Sequence, residues 1–112
     1  AHIFIHQVDG VLSVSGVLDL EFAFSGSILC DVANMLRYAH KMPPEFQNSF
    51  IDALETNDIK LPADWRTTVH LLNLSSLLDL LKRSDPKNHP NRCADIRELI
   101  DHILSELNPC KK

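Results

Sequence analysis

Hydrophobic residues change their spacing along the chain, from a strand-like pattern near the start to a helical pattern after residue 26. Short apolar runs at residues 3–6 and 11–18 flank Asp9-Gly10. This dipeptide is typical of tight hairpin turns, because glycine adopts positive φ without a steric penalty. The pattern therefore predicts two antiparallel strands joined by a short turn.

Four amphipathic helical patterns follow. Apolar residues recur at helical spacing in each of them, the first opening near Asp31 and carrying Val32, Ala33, Leu36 and Ala39 with Met35 on its flank. The double proline Pro43-Pro44 ends the first helix and begins the second. The third, from Pro62 to about Lys82, is apolar on most faces, which is typical of a central helix. We therefore predict an α+β, mostly α fold: a hairpin followed by about four helices.

Composition narrows the functional classes. The 112 residues are 45% hydrophobic and 23% charged, with a formal net charge of −4, which argues against an electrostatic nucleic-acid binder. No apolar run reaches the roughly 20 residues needed to span a bilayer, so we expect no membrane association. The chain has an odd number of cysteines, Cys30, Cys93 and Cys110, and their spacing is not that of a metal site. They predict reduced thiols in a cytoplasmic protein.

The strongest candidate chemistry is a pair of carboxylates at the end of the second strand. Asp19 and Glu21 follow the apolar residues Val17 and Leu18, and a Gly/Ser turn comes next. Residues i and i+2 of an extended segment share a face, with about 6.5–7 Å between their Cα atoms, so one divalent cation can bridge them. Carboxylate oxygens suit Mg²⁺. The alternative is that Asp19 caps a turn and Glu21 is a solvated charge.

Two segments around these acids resemble the metal-binding region of the aminoglycoside phosphotransferase family, small-molecule kinases with a protein-kinase-like fold. The segments are residues 17–27, VLDLEFAFSGS, and residues 31–38, DVANMLRY. The family pattern is an apolar strand, Asp-aromatic-Glu, a glycine, and Asp-apolar-Ala in a helix. Here Leu20 stands in place of the aromatic residue, and Gly26-Ser27-Ile28 in place of Gly-Asp-Pro. Neither departure removes a ligand.

The resemblance implies a role for four residues. Asp19 matches the Mg²⁺-binding Asp of the kinase Asp-Phe-Gly motif, and Glu21 an acid that approaches the metal in some relatives. His2 stands where the second metal ligand usually is an Asn, although imidazole is a less typical partner of Mg²⁺. The alternative for His2 is no role. Asp31 matches a helix Asp that supports the catalytic loop.

The resemblance also implies an activity for the parent enzyme: ATP- and Mg²⁺-dependent phosphorylation of a hydroxyl on a small molecule, such as an aminoglycoside antibiotic, choline, homoserine or a sugar. An aminoglycoside kinase would confer antibiotic resistance. Residues 1–112 would be the C-terminal part of the catalytic lobe, with a hairpin and metal-binding turn (2–26) and a helical subdomain (27–112). The His-Gly-Asp motif, Gly-rich loop and ATP-binding Lys are absent from the sequence, so we expect a truncated, inert transferase.

Other residues have structural explanations that we favour over functional ones. His70, Trp65, Phe46 and Phe50 lie in apolar stripes and are expected to be core or interface residues. Six acids on the helices could receive a cationic substrate, but we favour their interpretation as solvated helix faces: Glu45, Asp52, Glu55, Asp58, Asp64 and Asp79. A second hypothesis for the whole chain is a non-catalytic helical module that binds a partner or self-associates through an exposed apolar face.

Overall fold

The computed structural model describes residues 2–18 and 26–108. In chain order it contains strands β1 (His2–Val8) and β2 (Val11–Leu18), and helices α1 (Ile28–Leu36), α2 (Pro44–Thr56), α3 (Trp65–Arg83) and α4 (Pro90–Leu107). A short 3-10 segment, Ala39–Lys41, lies between α1 and α2. The predicted class, a hairpin followed by four helices, is confirmed.

Strands β1 and β2 form a two-stranded antiparallel sheet. Their turn residues Asp9 and Gly10 have φ values of 52° and 80°, and positive φ at both central positions is what a type I′ turn requires. Phe4 pairs with Gly16 and Ile5 with Val14, which leaves Ser15 as the extra residue of a β-bulge. Strand β1 is longer than the predicted run at residues 3–6.

The two faces of the hairpin differ in polarity. Cross-strand partners share a face, so the pairs Ile3–Val17 and Ile5–Val14 lie on one side with Gln7–Leu12. The other side carries the polar pair His6–Ser13 among its apolar residues. The apolar residues of both strands are 46–66% exposed: Ile3, Phe4, Ile5, Val8, Val11, Leu12, Val14, Val17 and Leu18. The helices of the described residues therefore leave the hairpin largely uncovered.

Helix α1 begins earlier than the position near Asp31 that the sequence indicates. The Ser27 hydroxyl accepts a hydrogen bond from the Leu29 backbone N–H at 3.2 Å, which caps the helix and places Asp31 in its first turn. The helix ends at Leu36, and the chain then tightens into the 3-10 segment ahead of Pro43. The first helical pattern is thus divided in two.

The core consists of two hydrophobic clusters that share helix α3. The first joins α3 to α1 through its buried members Val32, Ala33, Trp65 and Val69. The second joins α3 to α4 through Leu77, Ile96, Leu99 and Ile103. Helix α3 is therefore central, as its composition predicts. Its apolar residues are not all buried, because Leu71, Leu78 and Leu80 are 53%, 50% and 38% exposed.

Two neighbouring leucines of α3 test this division between core and surface. Leu77 is 1% exposed and Leu78 is 50% exposed. We expect Leu77→Ala to lower the free energy of unfolding by about 2–5 kcal/mol, because it removes buried methyl groups and leaves a cavity. Leu78→Ala, the matched control, should cost less than about 1 kcal/mol. Equal losses in urea titrations followed by circular dichroism would contradict the assignment.

Candidate functional site

The predicted metal ligands Asp19 and Glu21 lie outside the described residues, and so does the turn that follows them. The structure describes the segments on either side. Strand β2 ends at Leu18, directly before Asp19. The described structure continues from Gly26, ahead of the Ser27 cap of α1. The role of the two acids stays a prediction.

The two remaining residues of the predicted site lie in described elements. His2 is the first residue of β1 and is the cross-strand partner of Leu18. Directly opposed residues of an antiparallel pair have Cα atoms about 4.5–5.5 Å apart, so His2 lies beside the point where the chain enters Asp19. Asp31 is exposed in the first turn of α1.

The acids predicted as possible substrate ligands do not converge on a described site. All six are exposed: Glu45, Asp52, Glu55, Asp58, Asp64 and Asp79. Asp79 forms an ion pair with Arg83, one helical turn away. Within residues 2–18 and 26–108, no group of three or more His, Cys, Asp or Glu side chains is arranged to hold a metal ion.

The helices enclose a cleft of about 410 Å³. Its lining comes from the end of α1, the 3-10 segment, the start of α2, and helices α3 and α4. Imidazoles from three elements line it: His40, His70 and His102. Arg37 and Arg66 carry positive charge at the cleft, and Glu106 carries negative charge. A half-open cleft with apolar walls and a few polar groups is typical of a small-molecule site.

A stacked pair of imidazoles closes one side of this cleft. The rings of His40 and His102 lie 3.8 Å apart with an angle of 12° between their planes. Polar contacts beside the stack also link the 3-10 segment to α4. The Lys41 ammonium lies 3.0 Å from a Glu98 carboxylate oxygen, and the Tyr38 hydroxyl donates to Asp95 at 2.7 Å. The junction between the 3-10 segment and α4 therefore consists mainly of contacts between polar side chains.

A hydrogen-bonded arginine fixes the end of α1 on α3. Arg37 Nε donates to Asn73 Oδ1 at 3.2 Å, and its Nη2 donates to Asn34 Oδ1 at 3.0 Å. Asn73 is only 3% exposed. Because an unpaired buried amide is costly, this bond determines where the Arg37 guanidinium lies at the cleft.

Burial lowers the pKa of two histidines at the cleft. The pKa of His70 lies below its usual value because burial disfavours the charged ring, with Glu106 opposing the shift and His102 adding to it. Burial also lowers the pKa of His40, and the neighbouring His102 and Lys41 contribute further. Glu98 and Glu106 act on His40 in the opposite direction. Both rings are therefore biased towards the neutral form.

Sequence reasoning did not find this cleft. His70 was expected in the core, but it is half-buried and faces the cleft. The sequence marks Arg37 and His40 only as basic residues near the end of the first helical pattern. His102 lies within the stripe of the last helix without a distinguishing neighbour. The sequence offers no signal for the stack, since His40 and His102 come from distant segments.

Phe50 and Trp65 agree with their predicted structural roles. Trp65 is buried in the first core cluster, and Phe50 packs against that cluster. The Arg66 guanidinium lies 4.5 Å from the centre of the Trp65 ring, a cation–π contact at the mouth of the cleft.

No protein-family model, curated protein or solved structure matches this chain. The resemblance to the phosphotransferase family stays a prediction. Within the described part of the chain, none of the helices combines the length and apolar character needed to cross a membrane.

The lowered pKa values predict a pH-dependent stability. The unfolded chain binds protons at the ordinary histidine pKa of about 6.5, whereas folded His40 and His70 resist protonation, so stability is full above this pH and is lost as the pH falls through it. We expect the free energy of unfolding to decrease between about pH 7.5 and about pH 5.5. The double variant His40→Gln/His70→Gln should show a smaller decrease in urea titrations. An unchanged pH slope in this variant would contradict the prediction.

Proposed function

We propose that this chain is part of an ATP- and Mg²⁺-dependent small-molecule phosphotransferase of the aminoglycoside phosphotransferase type. In this proposal the acceptor is a hydroxyl of a small molecule, and residues 1–112 form the C-terminal part of the catalytic lobe. The cytoplasmic location belongs to the same proposal, and the free thiols of Cys30 and Cys93 support it.

The observation that carries the proposal is the order of elements around Asp19 and Glu21. A hairpin strand ends one residue before Asp19, and a capped helix begins seven residues after Glu21, at Ile28. The hairpin turn at Asp9-Gly10 has the tight geometry expected between the catalytic loop and the metal-binding strand of such kinases. The β1–β2 register adds the position of His2 beside Leu18.

The chemistry of the proposed ligands suits magnesium better at two positions than at the third. Asp19 and Glu21 offer carboxylate oxygens, which Mg²⁺ prefers, whereas His2 offers an imidazole nitrogen. When bound, ATP supplies the phosphoryl group, and Mg²⁺ neutralises its negative charge. In this proposal the role of the chain is to hold the metal through Asp19, with Glu21 beside it. Asp31 would support the catalytic loop of the parent enzyme.

Residues 1–112 alone should not catalyse the reaction. Phosphoryl transfer depends on several positioning and charge-stabilising groups acting together, and the acceptor-orienting Asp and the nucleotide-binding Lys are not in this sequence. Metal binding, in contrast, needs only the local acids. Metal binding is therefore the property to measure on this chain.

A paramagnetic metal tests the proposal directly. We expect Mn²⁺, used in place of Mg²⁺, to broaden the backbone amide signals of Leu18 and Gly26 in NMR spectra, because both flank the two acids. Asp19→Asn should abolish this broadening. Asp9→Asn is the matched control, since it removes an exposed acid from the hairpin turn and keeps a residue that tolerates positive φ.

Three results would overturn the proposal. They are equal broadening in the Asp19→Asn variant, no broadening in the unsubstituted chain, or ATP turnover by residues 1–112 that Asp19→Ala leaves intact. The reading frame upstream of Ala1 gives an independent check. We expect it to encode a His-Gly-Asp-like triplet within about ten codons, at the catalytic loop of the parent enzyme.

One observation favours a second candidate function, self-association. Five apolar side chains share one face of the hairpin and are 46–65% exposed: Ile3, Ile5, Leu12, Val14 and Val17. A two-stranded hairpin is marginally stable by itself in water and gains stability when its apolar face is covered. A second copy of the chain, packed through this face, would provide such a cover.

Charge placed on that face should prevent association. If the chain self-associates, Val14→Lys should shift its mass to that of a monomer in light scattering at high concentration, because the lysine cannot be buried there without a partner. Ser13→Lys, on the opposite face, is the matched control and should leave the mass unchanged. If the unsubstituted chain is monomeric at all concentrations, self-association is excluded as its function.

A further inference from the structure

The cleft between α2, α3, α4 and the 3-10 segment is separate from the residues of the proposed metal site. It uses none of Asp19, Glu21, His2 or Asp31, so its role is independent of the proposed phosphotransferase. Its volume of about 410 Å³ lies within the range of small-molecule sites, which is roughly 300–1,000 Å³. The question is which chemical class its walls recognise.

The walls of the cleft combine an excess of positive charge with apolar surface. Two arginines and one glutamate line it, which leaves one net positive charge when the histidines are neutral. Arg37 is held in place by its bonds to Asn73 and Asn34, so its charge does not need to be ordered on binding. The apolar part of the wall comes from Leu36, Met42, Val69 and Ile103.

The imidazoles supply ring nitrogens and a flat surface, and the Gln47 and Asn48 amides add further polar groups. Imidazole nitrogens can donate or accept hydrogen bonds, and three rings reach the cleft from three different elements. The His40–His102 stack, with its planes 12° from parallel, is an ordered planar surface. Donors beside a flat, partly apolar wall fit a ligand that has an aromatic ring and an acidic group.

We infer that this cleft binds a small aromatic carboxylate, with the ring against the apolar wall and the carboxylate near Arg37, Arg66 and the imidazoles. Arg66 is exposed at the mouth of the cleft and leans on the Trp65 ring. Because Arg66 lines the cleft, its guanidinium can donate hydrogen bonds to a bound carboxylate. Glu106 opposes an anion in its own vicinity, which places the carboxylate on the arginine side.

Three probes that share one ring and differ in charge test the inference: 2-naphthoate, 2-naphthamide and 2-naphthylmethylammonium. Each is titrated into the chain with ¹⁵N-labelled histidines, and the imidazole signals are followed by NMR. We expect 2-naphthoate to give saturable shifts of His40, His70 and His102. His2, His6 and His89 do not line the cleft and serve as internal controls. The amide should bind at least about tenfold more weakly, and the ammonium probe should not saturate.

A pair of arginine variants locates the charge that matters. Arg66→Gln should raise the Kd for 2-naphthoate about fivefold, because it removes one solvent-exposed charge at the cleft. Arg97→Gln is the matched control, an exposed arginine on α4 that does not line the cleft, and it should leave the Kd unchanged. Circular dichroism checks that both variants fold.

The inference is overturned if 2-naphthoate causes no saturable shift of the three cleft imidazoles, or if the three probes bind with equal affinity. Equal affinity would identify an apolar groove without charge selection, and tighter binding of the ammonium probe would assign the site to Glu106. An unchanged Kd in Arg66→Gln would also contradict it. None of these results bears on Mn²⁺ binding at Asp19, so the two proposals fail separately.

Discussion

The helical part of the molecule depends on the burial of two hydrophobic clusters along α3, and the hydrogen bond from Arg37 to Asn73 lies between them. Asn73 lies on α3 between the two hydrophobic clusters and is 3% exposed, so its side-chain oxygen cannot rely on water. Arg37 Nε supplies the donor at 3.2 Å from the end of α1. A charged donor makes this bond stronger than a neutral one, and its loss would leave a buried amide unpaired. The bond therefore adds a directional contact at the end of α1 to the apolar packing of α1 on α3.

The cleft follows from that arrangement. Helix α3 contributes buried residues to both clusters, and α1 and α4 pack on it through separate sets of side chains. Beyond the end of α1 the chain turns through the 3-10 segment, which reaches α4 by the imidazole stack and the polar contacts of Tyr38 and Lys41. Because these contacts bridge a gap and do not fill it with apolar side chains, space remains between the helices. The charged and imidazole side chains that line this space come from all these elements.

The hairpin is held by local interactions and not by burial against the helices. Its conformation is determined locally by the positive φ of Asp9 and Gly10 and by the ladder between β1 and β2, yet the described helices bury little of its apolar surface. In the two proposals made for it, the hairpin leads into a metal-binding turn or offers an apolar face for self-association. The cleft proposed to bind an aromatic carboxylate depends on neither, since it is lined by the helices and the 3-10 segment.

Local pattern determined the elements of this protein: the Asp9-Gly10 turn, the double proline at the start of α2, and the apolar stripes that predicted four helices all act within a few residues. The strand before Asp19 and the helix after Gly26 were also readable, whereas the acids and most of the predicted turn lie outside the described residues. The start of α1 was placed too late because the Ser27 hydroxyl bond decides it. Tertiary structure alone decided that His40 stacks on His102, that Asn73 is buried against Arg37, and that Leu77 is enclosed while Leu78 is not. The reason is physical: periodicity states which side chains share a face of one helix, but a contact between distant segments depends on how the helices pack, which no local pattern contains.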